Sequence, residues 1–118
     1  MKKCSFMTLV LINGEVCAKE VFGYTDGDFC YYDSRNSCNA ATFNGRGKRG
    51  WFAVVPNYGR SLGLPHKTRK EAISEAHNPD VMKKLAAKIE KYGEKYRELY
   101  TQKVEQASKN MELNTSMY

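Results

Sequence analysis

The sequence predicts an α+β fold: an antiparallel β-meander of four to five strands, then a short helix and a long C-terminal helix. Three observations carry this. Asn13-Gly14 and Asp26-Gly27 each separate strand-like apolar runs, and such dipeptides suit the positive φ angles of tight hairpin turns. Asn78-Pro79 places an N-cap residue before proline at a first helical position. Beyond it, apolar residues recur at steps of three and four, the period of a helix face.

The first hairpin is "FMTLVLINGEVCAKEVFGY". A two-residue loop sets Ile12 opposite Glu15 and Leu11 opposite Val16. Strand periodicity then gathers Leu9, Leu11, Val16 and Ala18 on a core side. Thr8, Glu15 and Lys19 share the other side with Phe6, Val10 and Ile12, which makes it a second candidate for cover. Asp26-Gly27 repeats the device and leads to a third strand at 28–32. "DSRNSCN", 33–39, is turn-rich and reads as a surface loop. "AATFN" and "GWFAVVP" are candidate strands around "NGRGKRGW", which is expected to be the tip of a long, mobile hairpin. Pro56 ends the last of them, because proline cannot donate to a ladder. After a loop at 57–66, Thr68 and Glu71 have capping-box spacing, so a short helix is expected at 69–77. The long helix should run from Pro79 to near Lys109, about 45 Å. One domain covers 1–118, with a β-rich part (1–67), a helical part (68–110) and a frayed tail (111–118).

On the long helix Met82, Leu85, Ile89, Tyr92, Tyr96 and Leu99 form an apolar stripe, interrupted by Gly93. Packing on the sheet is one reading of it. A seam for a homodimer or a partner is the other, since so long a helix overshoots strands of about 20 Å.

The charge is local. Residues 1–43 hold four basic and five acidic groups, and 71–118 hold eight of each. Residues 44–70 hold Arg46, Lys48, Arg49, Arg60, Lys67, Arg69 and Lys70 and no acidic group at all, which accounts for the net +6. A solubilising surface mixes both signs. A block of one sign is an anion-seeking surface, and Trp51, Phe52 and Tyr58 lie inside it, with Phe43 just before. Rings stack on bases while cations hold phosphates.

No nucleophile elbow, Walker loop or ligand spacing is present, so neither an enzyme nor a cofactor or metal site is expected. "GRGKRG" lacks the spacing and the Lys-Ser/Thr ending of a phosphate loop. Cys4, Cys17, Cys30 and Cys38 match no zinc or redox spacing and read as reduced core or strand residues. No secretory signal and no run of about 20 apolar residues is seen, which favours a cytoplasmic protein with no membrane partner.

The expected function is non-enzymatic binding of nucleic acid or a nucleoprotein complex through Arg46, Lys48, Arg49, Trp51, Tyr58, Arg60, Lys67, Arg69 and Lys70. The alternative is a small phage-like or mobile-element inhibitor or adaptor, docking the same cations on an acidic protein surface such as a host defence complex.

Overall fold

The computed structural model describes residues 1–36 and 41–116, with side chains described through Lys109. Cys38 and the end of the 33–39 loop lie outside the described residues, and the expected tail at 111–118 lies beyond the described side chains. The elements are β1 (Lys2–Ile12), β2 (Glu15–Thr25), β3 (Cys30–Asp33), a 3-10 turn (Ser34–Asn36), β4 (Ala41–Thr42), β5 (Trp51–Val55), β6 (Arg60–Ser61), α1 (Arg69–Ala76) and α2 (Pro79–Ser116). This is an α+β fold with one antiparallel sheet of six strands in the order β4-β1-β2-β3-β5-β6.

The first hairpin has the register that the two-residue turn dictates: Ile12 pairs with Glu15 and Leu11 with Val16, with Asn13 and Gly14 at φ 52° and 83°. The second turn is longer than its dipeptide implies. Thr25 pairs with Cys30, because Asp26 Oδ1 accepts from the backbone N–H groups of Asp28 (2.9 Å) and Phe29 (2.8 Å) and holds residues 26–29 as a four-residue loop.

The third expected hairpin does not form. β4 pairs with Val10 and Leu11 of β1 rather than with β5, so 44–50 is a crossover and not a mobile tip. Asn44, Arg46, Gly47 and Gly50 all have positive φ, a conformation no strand continues. Gly45 sits against the Phe52 ring, where an added Cβ would lie 2.9 Å from Cζ, so the segment folds down over the core.

The two edges of the sheet meet. The Gly59 carbonyl, just before β6, accepts from Leu9 N–H (2.8 Å) and Thr8 Oγ1 (3.1 Å), while Ser61 Oγ donates to the Phe43 carbonyl at 3.0 Å. Gly59 has φ +62°, and a Cβ there would stand 2.6 Å from the Tyr100 ring. Only glycine fits this three-way junction of β1, β6 and α2.

Strand alternation sends successive side chains of β3 and β5 to two cores. Tyr32, Phe52 and Val54 pack with Val21 and Phe6 on one side. Tyr31, Ala53 and Val55 pack on the other against Ala72 and Ala76 of α1 and Met82 and Leu85 of α2. The polar atoms among them are paired: Tyr32 Oη and Thr42 Oγ1 are 2.6 Å apart, and burial pushes the Tyr32 hydroxyl up from its ordinary pKa.

Thr68 caps α1, its Oγ1 accepting from Glu71 N–H at 3.3 Å, and Asn78 Oδ1 accepts from Asp80 N–H at 2.9 Å at the start of α2. Thr68→Ala is expected to lower stability by about 1 kcal/mol, read as a shift in the urea midpoint. Along α2, Met82 and Leu85 join the core while Tyr96 packs edge-on to Tyr58. Tyr92 is exposed, and Ile89 and Leu99 are half-buried. Gly93 is buried where the stripe breaks, with Tyr58 Oη 3.6 Å from the place its Cβ would occupy. Among the described residues, no helix is long and apolar enough to cross a membrane.

Candidate functional site

Three chain segments converge at Trp51. The Trp51 and His66 backbones exchange two hydrogen bonds of 2.8 Å, while the Gly50 carbonyl accepts from Ser34 N–H at 2.9 Å and Gly50 N–H donates to Ser34 Oγ at 3.0 Å. Gly50 has to be glycine because a Cβ would lie 2.6 Å from the His66 carbonyl oxygen. These bonds bring the backbones of Arg49, Arg35 and Lys67, each one residue from an anchored position, into the same neighbourhood. Arg35 seals it with an Nη2 bond to the Lys67 carbonyl at 3.3 Å.

The rings come from the adjoining sheet face. The pairings Tyr24–Tyr31–Ala53 and Asp33–Trp51 place Tyr24, Trp51 and, two residues back on β2, Phe22 on the face shared with α1. Tyr24 and Trp51 have centroids 6.2 Å apart, tilted by 36°. Phe22 stands beside them at 79% exposure, unusual for a ring on a strand. The Arg69 guanidinium, in the first turn of α1, lies 4.3 Å from the Tyr24 centroid, and Lys3 is the cross-strand partner of Tyr24. The surface therefore gathers the Phe22, Tyr24 and Trp51 rings on one sheet face, with Lys3 across from Tyr24 and Arg69 over its ring, while Lys67 and Lys70 follow on the segment that runs from His66 into α1.

Its electrostatics are one-sided. Arg35 makes a two-point pair with Asp33, at 2.9 Å from Nε to Oδ1 and 2.9 Å from Nη2 to Oδ2, and that bonding holds the Asp33 carboxyl below its ordinary pKa. Among the described residues, no carboxylate pairs with Lys3, Lys67, Arg69 or Lys70. Exposed ammonium groups without partners keep their attraction for phosphate.

Of the residues singled out in sequence, Trp51, Lys67, Arg69 and Lys70 come together here, and Arg49 enters through Gly50. Arg46 and Lys48 are exposed on the crossover. Tyr58 and Arg60 do not join: Tyr58 packs against Tyr96, and the Arg60 Cζ lies 4.1 Å from the Tyr96 centroid and 4.7 Å from that of Phe43. The cations of 44–70 are thus divided, with Arg60 turned into a crevice against α2 rather than lying beside Trp51. Phe22, Tyr24, Lys3 and Arg35 were not singled out. The signal for the two rings was the alternation of Phe22 with Tyr24 at the end of β2, on a face assigned to the core.

Among the described residues, no group of three His, Cys, Asp or Glu side chains is placed to hold a metal ion. Cys4, Cys17 and Cys30 are free and half-buried. Compared with protein-family models, curated proteins and solved structures, the chain matches none of them.

Proposed function

We propose that this is a non-enzymatic binding protein that takes single-stranded nucleic acid, free or within a nucleoprotein complex, across the face formed by Phe22, Tyr24 and Trp51. The observation that supports this most is the Phe22 ring, 79% exposed and on the same sheet face as the Tyr24–Trp51 pair, beside cations that no carboxylate neutralises among the described residues. Burying an exposed phenyl ring against a base recovers the stabilisation that its exposure forgoes, while Lys67, Arg69 and Lys70 hold the phosphates. Every base has a flat face, so such a surface tolerates sequence.

Anisotropy titration of a labelled twelve-residue oligouridine or oligothymidine, from 50 to 200 mM salt, tests the reading. Phe22→Ala is expected to weaken binding about tenfold, within the range of one base stack, and to leave the salt slope unchanged. Lys67→Ala with Lys70→Ala is expected to reduce the slope by about 1.4, the contribution of two phosphate contacts on a single strand. If the parent protein does not bind either oligonucleotide, the proposal fails and the acidic-protein reading of the same cations takes its place. If it binds but is indifferent to both changes, the surface is elsewhere.

A further inference from the structure

A cavity of about 180 Å³ lies between β6 and α2. On one side Arg60 reaches it, and on the other Lys84 and Lys88 stand one helical turn apart. Leu62, Leu85 and Ile89 supply apolar wall. Arg60 carries five N–H donors. One of them reaches Asn44 Oδ1 at 3.4 Å, and among the described residues no carboxylate pairs with the rest. Glu75 is the one carboxylate among the described lining residues, and its Oε1 lies 3.2 Å from His66 Nε2 instead. The Phe43 and Tyr96 rings fix the guanidinium in place, so little rotamer freedom remains to be lost when a ligand arrives. Burial already disfavours the charge, pushing the Arg60 pKa down, a cost that a bound oxyanion relieves.

We infer that this cavity is a second ligand site, separate from the ring face, for a small organic anion: an oxyanion head, carboxylate or phosphate monoester, forked by Arg60 and flanked by Lys84 and Lys88, with a short apolar body against Leu62 and Leu85. Planar, two-point recognition of either head is what a guanidinium provides. The volume favours a small body, because it falls below the roughly 300 Å³ of drug-sized pockets. A single ring or a chain of a few carbons fits.

Benzoate, phenyl phosphate and neutral benzamide are titrated separately, followed by the aromatic NMR resonances of Tyr58 and Tyr96. Saturable binding of benzoate or phenyl phosphate is expected, with benzamide at least tenfold weaker, and the tighter of the two anions identifies the head. Arg60→Gln is expected to weaken the anion at least tenfold. Lys84→Ala with Lys88→Ala, at exposed helix positions outside the core, is expected to weaken it about threefold and carries the test if the Arg60 variant does not fold. Oligonucleotide affinity should be unchanged by bound benzoate, which separates this site from the ring face. Benzamide binding as tightly as benzoate, absence of saturation by either anion at 10 mM (roughly the weakest useful affinity), or full affinity in the lysine variant overturns the inference.

Discussion

Gly23→Ala is expected to cost on the order of 4 kcal/mol, or to abolish folding, because the place for its methyl is the most obstructed of any glycine in the chain. A Cβ at position 23 would lie 1.9 Å from the Tyr31 carbonyl oxygen and 3.1 Å from the Tyr32 Cβ. The obstacle is backbone, and it belongs to a strand whose two tyrosines are 0% and 2% exposed. Neither β2 nor β3 has anywhere to go: moving β3 displaces Tyr31 from the helices and Tyr32 from the inner cluster. The same crowding explains why the β2–β3 ladder stops after two pairs, Thr25–Cys30 and Tyr24–Tyr31. A urea titration reads the effect, with Phe22→Ala, at the exposed neighbouring position, as the control that leaves the midpoint nearly unmoved. A loss below about 1 kcal/mol would mean that β2 passes β3 at a greater distance.

Asp26→Asn is the second large effect, expected at about 2–3 kcal/mol near neutral pH. Asp26 Oδ2 accepts from the fully buried Tyr31 hydroxyl at 2.6 Å and lies 2.8 Å from His77 Nε2, while Oδ1 accepts the two backbone N–H groups of the turn. Partial burial alone would push this carboxyl up. The bonds from Tyr31, Phe29, His77 and Asp28 together outweigh it and hold the carboxyl well below the usual range. Tyr31 moves the other way, pushed up by burial and by its bond to Asp26. A carboxyl depressed in the folded state stabilises fully above its unfolded value of about 3.9, and the contribution is lost as pH falls below that toward the folded value. Stability of the parent should therefore decline below about pH 4, and the Asn variant should show a shallower decline because it has nothing there to protonate. Parallel acid limbs for the two proteins would remove Asp26 from the account.

How far these features were legible depends on whether their cause is local. The Asn13-Gly14 register, the Thr68/Glu71 cap and the Asn78-Pro79 start are decided by residues within a turn of one another, and each stands where the spacing places it. The partner of β4 was not legible, because a two-residue strand carries no periodicity and Val10 and Leu11, which hold it, lie far back in the chain. Asp26 misled the turn assignment by turning its carboxylate inward to capture Asp28 and Phe29. At the site, Lys67 and Arg69 are neighbours in sequence, and the pairing of Trp51 with His66 is what brings Trp51 to that segment. Arg60 belongs to the same charge block yet answers to Phe43 and Tyr96, which come from β4's end and mid-α2. Phe22 was hidden for the opposite reason: alternation says which rings share a face but not where α1 and α2 stop covering it.

The Gly59 junction ties early, middle and late parts of the polypeptide into one knot of contacts. Leu9 waits for residue 59 to complete its ladder, and Met7 waits for the Tyr100 hydroxyl, 3.4 Å from its carbonyl. During synthesis the first hairpin must therefore persist with an open edge until Tyr100 has been added. Closure over such separations is slow, on the order of milliseconds to seconds, and a ribosome that stalls before Tyr100 releases a half-zipped strand that is prone to aggregate.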